Sequence, residues 1–255
     1  MVLGPTERFA ELVETSGADL PLDEAVLLVA AHAIEGLDVA RERRRLDEMA
    51  AGVSSRTFDA LRDHLVGRLG FAGDVDDYHD PHNSLLPTVL DRRRGIPLTL
   101  AVVAMEVGRR CGVAVHGIGM PGHFLVRAAD DADRYVDLYS GGSELDEAAC
   151  REIFERLHPN APWDPQFLTP APPIAIVTRM LANLANSYRL AGDRAALQWA
   201  IDLRLRLPGA SERDRRELAL LFGAGGRYAD AARLLEGTGR DEDSATAARL
   251  RARLN

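Results

Sequence analysis

Cysteine is scarce in this chain of 255 residues, which contains only Cys111 and Cys150. Two cysteines do not form a disulfide framework, so a reducing compartment is the simplest interpretation. Long apolar runs are also missing, because no segment approaches the ~20 residues that span a bilayer. The N-terminal stretch "MVLGPTERFAELVE" introduces acidic residues at once and lacks the apolar centre of a signal peptide. We therefore expect a cytoplasmic protein.

Basic residues are fewer than acidic residues. The 31 basic residues face 39 acidic ones, which makes the formal net charge −8. Nucleic acid and anionic membranes are excluded as main partners, because phosphate groups need clustered arginine or lysine. The basic residues lie among Glu and Asp, a pattern typical of solvated helix faces. Nothing in the sequence indicates a cofactor, and the oligomeric state stays open.

The hydrophobic residues, 46% of the chain, are arranged in a helix–strand–helix order. Residues 1–72 have helical periodicity and form the N-terminal part of a core domain. Residues 73–165 hold a loop-rich stretch, a strongly apolar helix in "LTLAVVAMEVGRRCG" that ends at Gly112, and three strands in "VAVHGIG", "HFLVRAA" and "RYVDLY". The Pro-rich "HPNAPWDPQFLTPAPP" is the best candidate linker. Residues 166–255 form helix pairs of about 34 residues, which suggests tetratricopeptide-like repeats. The pattern therefore predicts an α+β fold with an all-α tail.

A histidine and an aspartate stand on two of these strands. His123 opens the strand of "GHFLVR", and Asp137 lies fourteen residues later in "RYVDLY". On adjacent antiparallel strands such residues meet, and the carboxylate then fixes the tautomer of the imidazole and raises its basicity. The pair is catalytic only beside a nucleophile.

These stretches resemble the transglutaminase-like and papain-like folds, in which a cysteine at the start of a buried helix precedes a His strand and an Asp strand. "DDYHDPHNSLLPTVLDRRRGIPLTL", "GMPGHFLVR", "DLYSGG" and "RMLANLANSY" are similar to a bacterial subgroup, the SirB (invasion-regulator-like) family. The resemblance covers roughly residues 20–250. It implies a papain-like core with a small antiparallel sheet, in proteins that mostly lack a demonstrated activity.

The nucleophile is where this chain departs from the pattern. The family's cysteine lies about thirteen residues before the turn glycine, and that position here is Thr99. A helix N-terminus readies a thiol for attack but leaves a hydroxyl un-ionised, and a nucleophilic threonine usually relies on an N-terminal amine. We therefore expect Thr99 to cap the helix or to donate a hydrogen bond in its first turn. Cys111, in the last turn of the helix, is predicted to be a small buried hydrophobe. Cys150 has acidic neighbours and no nearby His, so it is also a poor candidate for the nucleophile.

Several other polar residues are candidates for binding. The acidic stretch "DVDDYHDPH" offers ligands for a divalent metal, although a solvated acidic loop fits better and we predict no metal site. The run Arg92-Arg93-Arg94 either grips a phosphate or carboxylate or faces solvent. We name Asn83, Arg94 and Tyr139 as ligand-binding candidates, and Thr99, His123 and Asp137 as vestigial catalytic residues.

Two functions compete on this basis. The first is a pseudoenzyme that binds a peptide or protein through its core cleft and helical repeats. The second is an active hydrolase or acyltransferase that uses Thr99 or a metal-bound water with His123 and Asp137. A third possibility is a scaffold whose groove is filled by side chains. An open cleft would favour ligand binding instead, and whether Thr99 Oγ1 lies within ~3.5 Å of a His123 ring nitrogen is the most informative distance.

Overall fold

A computed structural model describes residues 3–253. It confirms an α+β fold that is mostly helical. Helices α1 to α4 build the N-terminal part and run over Pro5–Ser16, Leu22–Ala30, Val39–Ala51 and Phe58–Arg62. The last of them continues into a π-helix over Asp63–Arg68. Asp38 and Thr57 start α3 and α4 by accepting hydrogen bonds from backbone amides three residues on.

The loop-rich stretch forms more structure than its sequence indicates. It contains a 3₁₀ turn over Pro81–Ser84, helix α5 over Leu86–Arg92, and two short strands, β1 (Ala72–Gly73) and β2 (Arg94–Gly95). The two strands pair in parallel, with Ala72 opposite Arg94. This pair brings both ends of the stretch together just before the next helix, α6.

Helix α6 (Pro97–Cys111) is the centre of the core, as its apolar sequence predicts. It buries residues on nearly every side, from Leu98 to Val107, and ends at Gly112 in the left-handed conformation. Four antiparallel strands follow in the order β3-β4-β5-β6, over Val115–Ile118, Leu125–Ala128, Tyr135–Asp137 and Ser143–Leu145. The predicted strands are confirmed, and β6 is an additional one.

The Pro-rich segment after helix α7 (Glu147–Leu157) is anchored to this sheet. Trp163 and Phe167 stack against Phe154 of α7, with ring centroids 5.5 and 5.0 Å away. The amide of Ala171 donates to the carbonyl of Gly117 at 2.8 Å, which extends the sheet beyond β3. The predicted linker is therefore held in place on both sides of Leu168.

The tail is helical throughout, as predicted. Its helices α8 to α12 run over Pro173–Ala191, Arg194–Leu205, Glu212–Ala224, Tyr228–Glu236 and Asp241–Ala252. Ile176, Val177 and Met180 of α8 belong to the same buried apolar cluster as α2 and α6. The first tail helix thus completes the core, while the division into three segments stays a prediction. None of the helices between residues 3 and 253 has the length and hydropathy needed to cross a bilayer.

Candidate functional site

His123 and Asp137 meet as the spacing predicts. His123 lies two residues before β4 rather than on it, in a turn closed by its own amide, which donates to the carbonyl of Met120 at 3.0 Å. Asp137 is the last residue of β5, which pairs with β4 through Val126 and Val136. His123 Nε2 lies 2.8 Å from Asp137 Oδ2. Because an ionised carboxylate only accepts, Nε2 donates and Nδ1 is the nitrogen free to take a proton.

Asp137 is buried, and its carboxylate accepts four hydrogen bonds. Besides His123, its donors are the amide of Tyr139 (3.0 Å), the amide of Ser140 (3.2 Å) and Ser140 Oγ (2.8 Å). Burial by itself raises the pKa of Asp137, but the bonds from His123 and Ser140 outweigh it and lower that pKa below its ordinary value. The carboxylate is therefore ionised and holds the imidazole in one orientation.

Thr99 does not have the role that we expected. Pro97 occupies the first position of α6 and Ile96 is its cap, so Thr99 lies inside the helix rather than at its boundary. Its side chain is 0% exposed, and Thr99 Oγ1 makes no hydrogen bond with any residue between 3 and 253. The carbonyl of Gly95, one turn earlier, accepts the amide of Asp74 at 3.2 Å. The prediction that Thr99 caps the helix or donates in its first turn is therefore wrong.

Two of the three binding candidates lie close to these residues in the fold. The carbonyl of Asn83 accepts the amide of Ile96 at 3.3 Å, directly before α6. Its side chain is buried, with Nδ2 donating to the carbonyl of Asp77 at 2.7 Å and Oδ1 unpartnered among the described residues. Tyr139 follows Asp137, and its hydroxyl donates to the carbonyl of Asp74 at 2.7 Å. Both residues thus hold the acidic loop against the site.

In the run Arg92-Arg93-Arg94, the side chains of Arg92 and Arg94 bond to other residues of this chain. Arg92 joins two acids of the loop, at 3.1 Å from Asp74 and 2.6 Å from Asp80. Arg94 is exposed and donates to the carbonyls of Gly70 and Arg93. Within residues 3–253 no group of three potential metal-ligating side chains converges. The carboxylates of Asp74 and Asp80 are engaged with Arg92.

Neither cysteine is placed to act as a nucleophile. Cys150 is fully buried in α7, and burial raises the pKa of its thiol to about 12. Cys111 is half-buried in the last turn of α6, where its Sγ donates to the carbonyl of Gly108 at 3.4 Å. Cys111 was expected to be a small buried residue, but it retains some exposure.

Arg179 of the tail helix α8 is a site residue that sequence reasoning missed. Its guanidinium donates to the carbonyl of Met120 at 2.9 Å and to that of His123 at 2.8 Å. It also lies over the ring of Phe124, 5.3 Å from the centroid. Arg179 therefore fixes the turn that carries His123. A single arginine in the apolar run "IAIVTRMLANL" was the only signal for it.

Comparisons with known proteins show the family to which the chain belongs. The family model of the transglutaminase-like superfamily matches residues 31–182. A UPF0162 protein of Xylella fastidiosa (strain Temecula1) is 42% identical over 54% of this chain and 51% of its own length. A UPF0162 protein of Pseudomonas aeruginosa is 36% identical over 69% of this chain and 67% of its own length.

Among solved structures, menin is similar with a TM-score of 0.44 and 12% identity, over 97% of this chain and 69% of that one. The present chain spans about half the length of the Xylella relative that it matches. The family model covers well over half of the chain and includes the α6 helix, the His123 turn and Asp137. The chain belongs to the transglutaminase-like superfamily.

Proposed function

We propose that this protein is a non-catalytic member of the superfamily that binds a peptide or protein partner. The observation that carries the proposal is the state of Thr99. The hydroxyl at the nucleophile position is completely buried and makes no hydrogen bond with His123. An activated nucleophile needs both access to substrate and contact with its base.

The surface beside the His–Asp pair supports partner binding. Tyr78 is 43% exposed, and its ring centroid lies 6.0 Å from that of Tyr139. Val75, on the same loop, is 74% exposed. Exposed aromatic and apolar side chains beside a fixed polar pair suit recognition of a peptide, in which rings supply contact area and the pair supplies hydrogen bonds.

The helical tail also supports the binding of a peptide or protein partner. Helices α8 to α12 stack as antiparallel hairpins, an arrangement whose concave faces commonly bind peptides. Assignment of these hairpins to tetratricopeptide-like repeats, and of the chain to the SirB subgroup, belongs to this proposal. So does a cytoplasmic location, which the two free cysteines support.

The intact His123–Asp137 pair favours a second candidate, a hydrolase or acyltransferase. In that case a metal-bound water or a rearranged Thr99 serves as the nucleophile.

Activity separates the two candidates. We expect wild type, Thr99→Val and His123→Ala to show the same background turnover of a panel of aryl esters and anilides, and no labelling by acyl-transfer probes. Circular dichroism serves as the folding control for each variant. Turnover that disappears in a folded His123→Ala, or labelling that disappears in Thr99→Val, identifies the enzyme instead. Metal analysis of the active wild type then tells the two nucleophiles apart.

Thr99→Val is also expected to stabilise the protein, because it replaces an unpartnered buried hydroxyl by a methyl group of similar shape. An unsatisfied buried polar group costs about 1–3 kcal/mol, so the free energy of unfolding rises by about that amount. Chemical denaturation measures the change. Val103→Thr, buried one turn later on the same helix, is the matched control and changes stability in the opposite direction. A loss of stability in Thr99→Val would mean that the hydroxyl has a partner.

A further inference from the structure

A π-helix over Asp63–Arg68 follows α4. The amide of Leu69 donates to the carbonyl of His64 at 2.9 Å, five residues back, which widens this turn. Such segments are rare and occur frequently at functional sites. Here the wide turn carries both His64 and Arg68, and neither belongs to the candidate site described above.

These two side chains line a cavity of about 270 Å³ between the π-helix and the end of α3. Arg45 and Arg93 line it as well, together with Glu48. The volume is below the roughly 300–1,000 Å³ of pockets that hold drug-sized ligands. The cavity therefore suits a small ligand.

Two of the arginines that line the cavity lack an acidic partner among the described residues, in a chain with a net charge of −8. Three arginines face one glutamate around the cavity. Arg45 is neutralised by Glu42 and Asp91, at 2.7 and 2.6 Å. Arg68 and Arg93, by contrast, form no ion pair within 4.0 Å with any residue in the described range. Two guanidinium groups without an ion-pair partner in that range attract an anion.

Buried polar atoms without hydrogen-bond partners also indicate an anion site. His64 is only 7% exposed, and its Nε2 is buried and makes no hydrogen bond with residues 3–253. Arg93 Nη1 is also buried and unpartnered in that range, while the guanidinium lies 4.8 Å from the centroid of Phe71. Such atoms each cost about 1–3 kcal/mol of desolvation unless a partner satisfies them. A bound oxyanion supplies that partner.

The side chains of His64, Arg68 and Arg93 lie close enough together to change one another's pKa values. Burial lowers the pKa of His64, the nearby backbone of Met49 opposes this shift, and the charges of Arg68 and Arg93 lower the pKa further. Burial and the charge of Arg45 lower the pKa of Arg93. A bound dianion reverses these repulsions, because it stabilises the charged forms of both side chains.

We propose that this cavity binds a small phosphate-bearing ligand, held by Arg68, Arg93 and His64. A phosphate group presents three acceptor oxygens and close to two negative charges, which match two guanidinium groups and an imidazole. The ligand is either inorganic phosphate or a monoester with a short attached group. This site is independent of the proposed partner binding.

Isothermal titration calorimetry with inorganic phosphate, phenyl phosphate and acetate at constant ionic strength tests the proposal. We expect both phosphates to bind wild type and acetate to bind at least tenfold more weakly. Arg68→Gln and Arg93→Gln are each expected to weaken phosphate binding by about tenfold or more, since each removes a charge-assisted hydrogen bond. Arg41→Gln, on α3 outside the cavity, is the matched control and leaves the affinity unchanged.

The pKa of His64 adds a readout that a merely structural role would not move. Proton NMR, with His64→Gln to assign the resonance, should show this pKa rising when phosphate is added. Tighter binding of phenyl phosphate than of inorganic phosphate identifies a monoester as the ligand. Equal affinities in wild type, folded Arg68→Gln and Arg41→Gln, or no binding of either phosphate, overturn the proposal.

Discussion

Asp137→Ala is expected to lower the free energy of unfolding by about 3 kcal/mol or more, because each buried donor left without an acceptor costs about 1–3 kcal/mol. The change leaves His123 without its carboxylate and the amides of Tyr139 and Ser140 without their acceptor. Chemical denaturation at neutral pH measures it. Asp131→Ala, in the exposed turn before β5, removes a bond to Arg134 and serves as the control, with a loss below about 1 kcal/mol.

The same carboxylate makes stability depend on pH in a defined direction. Because the folded protein lowers the pKa of Asp137, its contribution is fully present above the unfolded value of about 3.9 and is lost as the pH falls through the folded pKa. We therefore expect the stability difference between wild type and Asp137→Asn to shrink as the pH falls from about 5 to 2. A difference that is constant over this range would show that folding does not lower the pKa of this carboxyl.

Arg179→Met is expected to cost about 3 kcal/mol, because it removes two hydrogen bonds from a charged donor to the carbonyls of Met120 and His123. The methionine keeps most of the apolar contact with Phe124, so the loss reports the hydrogen bonds. Hydrogen exchange at the amides of His123 and Phe124 should accelerate in the variant, since the turn loses its anchor.

A matched control stands on the same helix. Arg189 of α8 pairs with Glu217 on the surface, and Arg189→Met is expected to cost less than about 1 kcal/mol. Equal losses in the two variants, without faster exchange at His123, would show that Arg179 does not hold the turn. Arg179→Lys should fall between wild type and Arg179→Met, because one ammonium cannot reproduce the geometry of the guanidinium fork.

Elements with strong local signals could be predicted from the sequence. The apolar run and Gly112 predict helix α6, and short apolar stretches between turn residues predict β3 to β5. The pair β1–β2 could not be predicted, because each strand has two residues and their partners lie about 22 positions apart. The π-helix likewise lacks a distinctive sequence, since its residues suit an ordinary α-helix.

Only part of the candidate site could be predicted from the sequence. The His123–Asp137 pair follows from antiparallel strands of short spacing, so sequence distance was informative. Arg179 reaches the His123 turn from 56 residues away, and only the packing of α8 on the core shows it. The burial of Thr99 depends on what packs around α6, which no local pattern records. Long-range packing therefore decided the functional interpretation.

Helix α8 has a consequence for how such a chain can evolve. Its buried face contributes Ile176, Val177 and Met180 to the central apolar cluster, and its Arg179 holds the histidine turn. A gene rearrangement that cut the chain just before Pro173 would remove part of the core along with the tail. The outer helices α10 to α12 join the rest of the chain mainly through the contact of α10 with α9, so we expect exchange of tail modules between relatives to be tolerated best beyond α9, near the turn at Gly209. Recombination could vary the outer hairpins freely while the first one is inherited with the core.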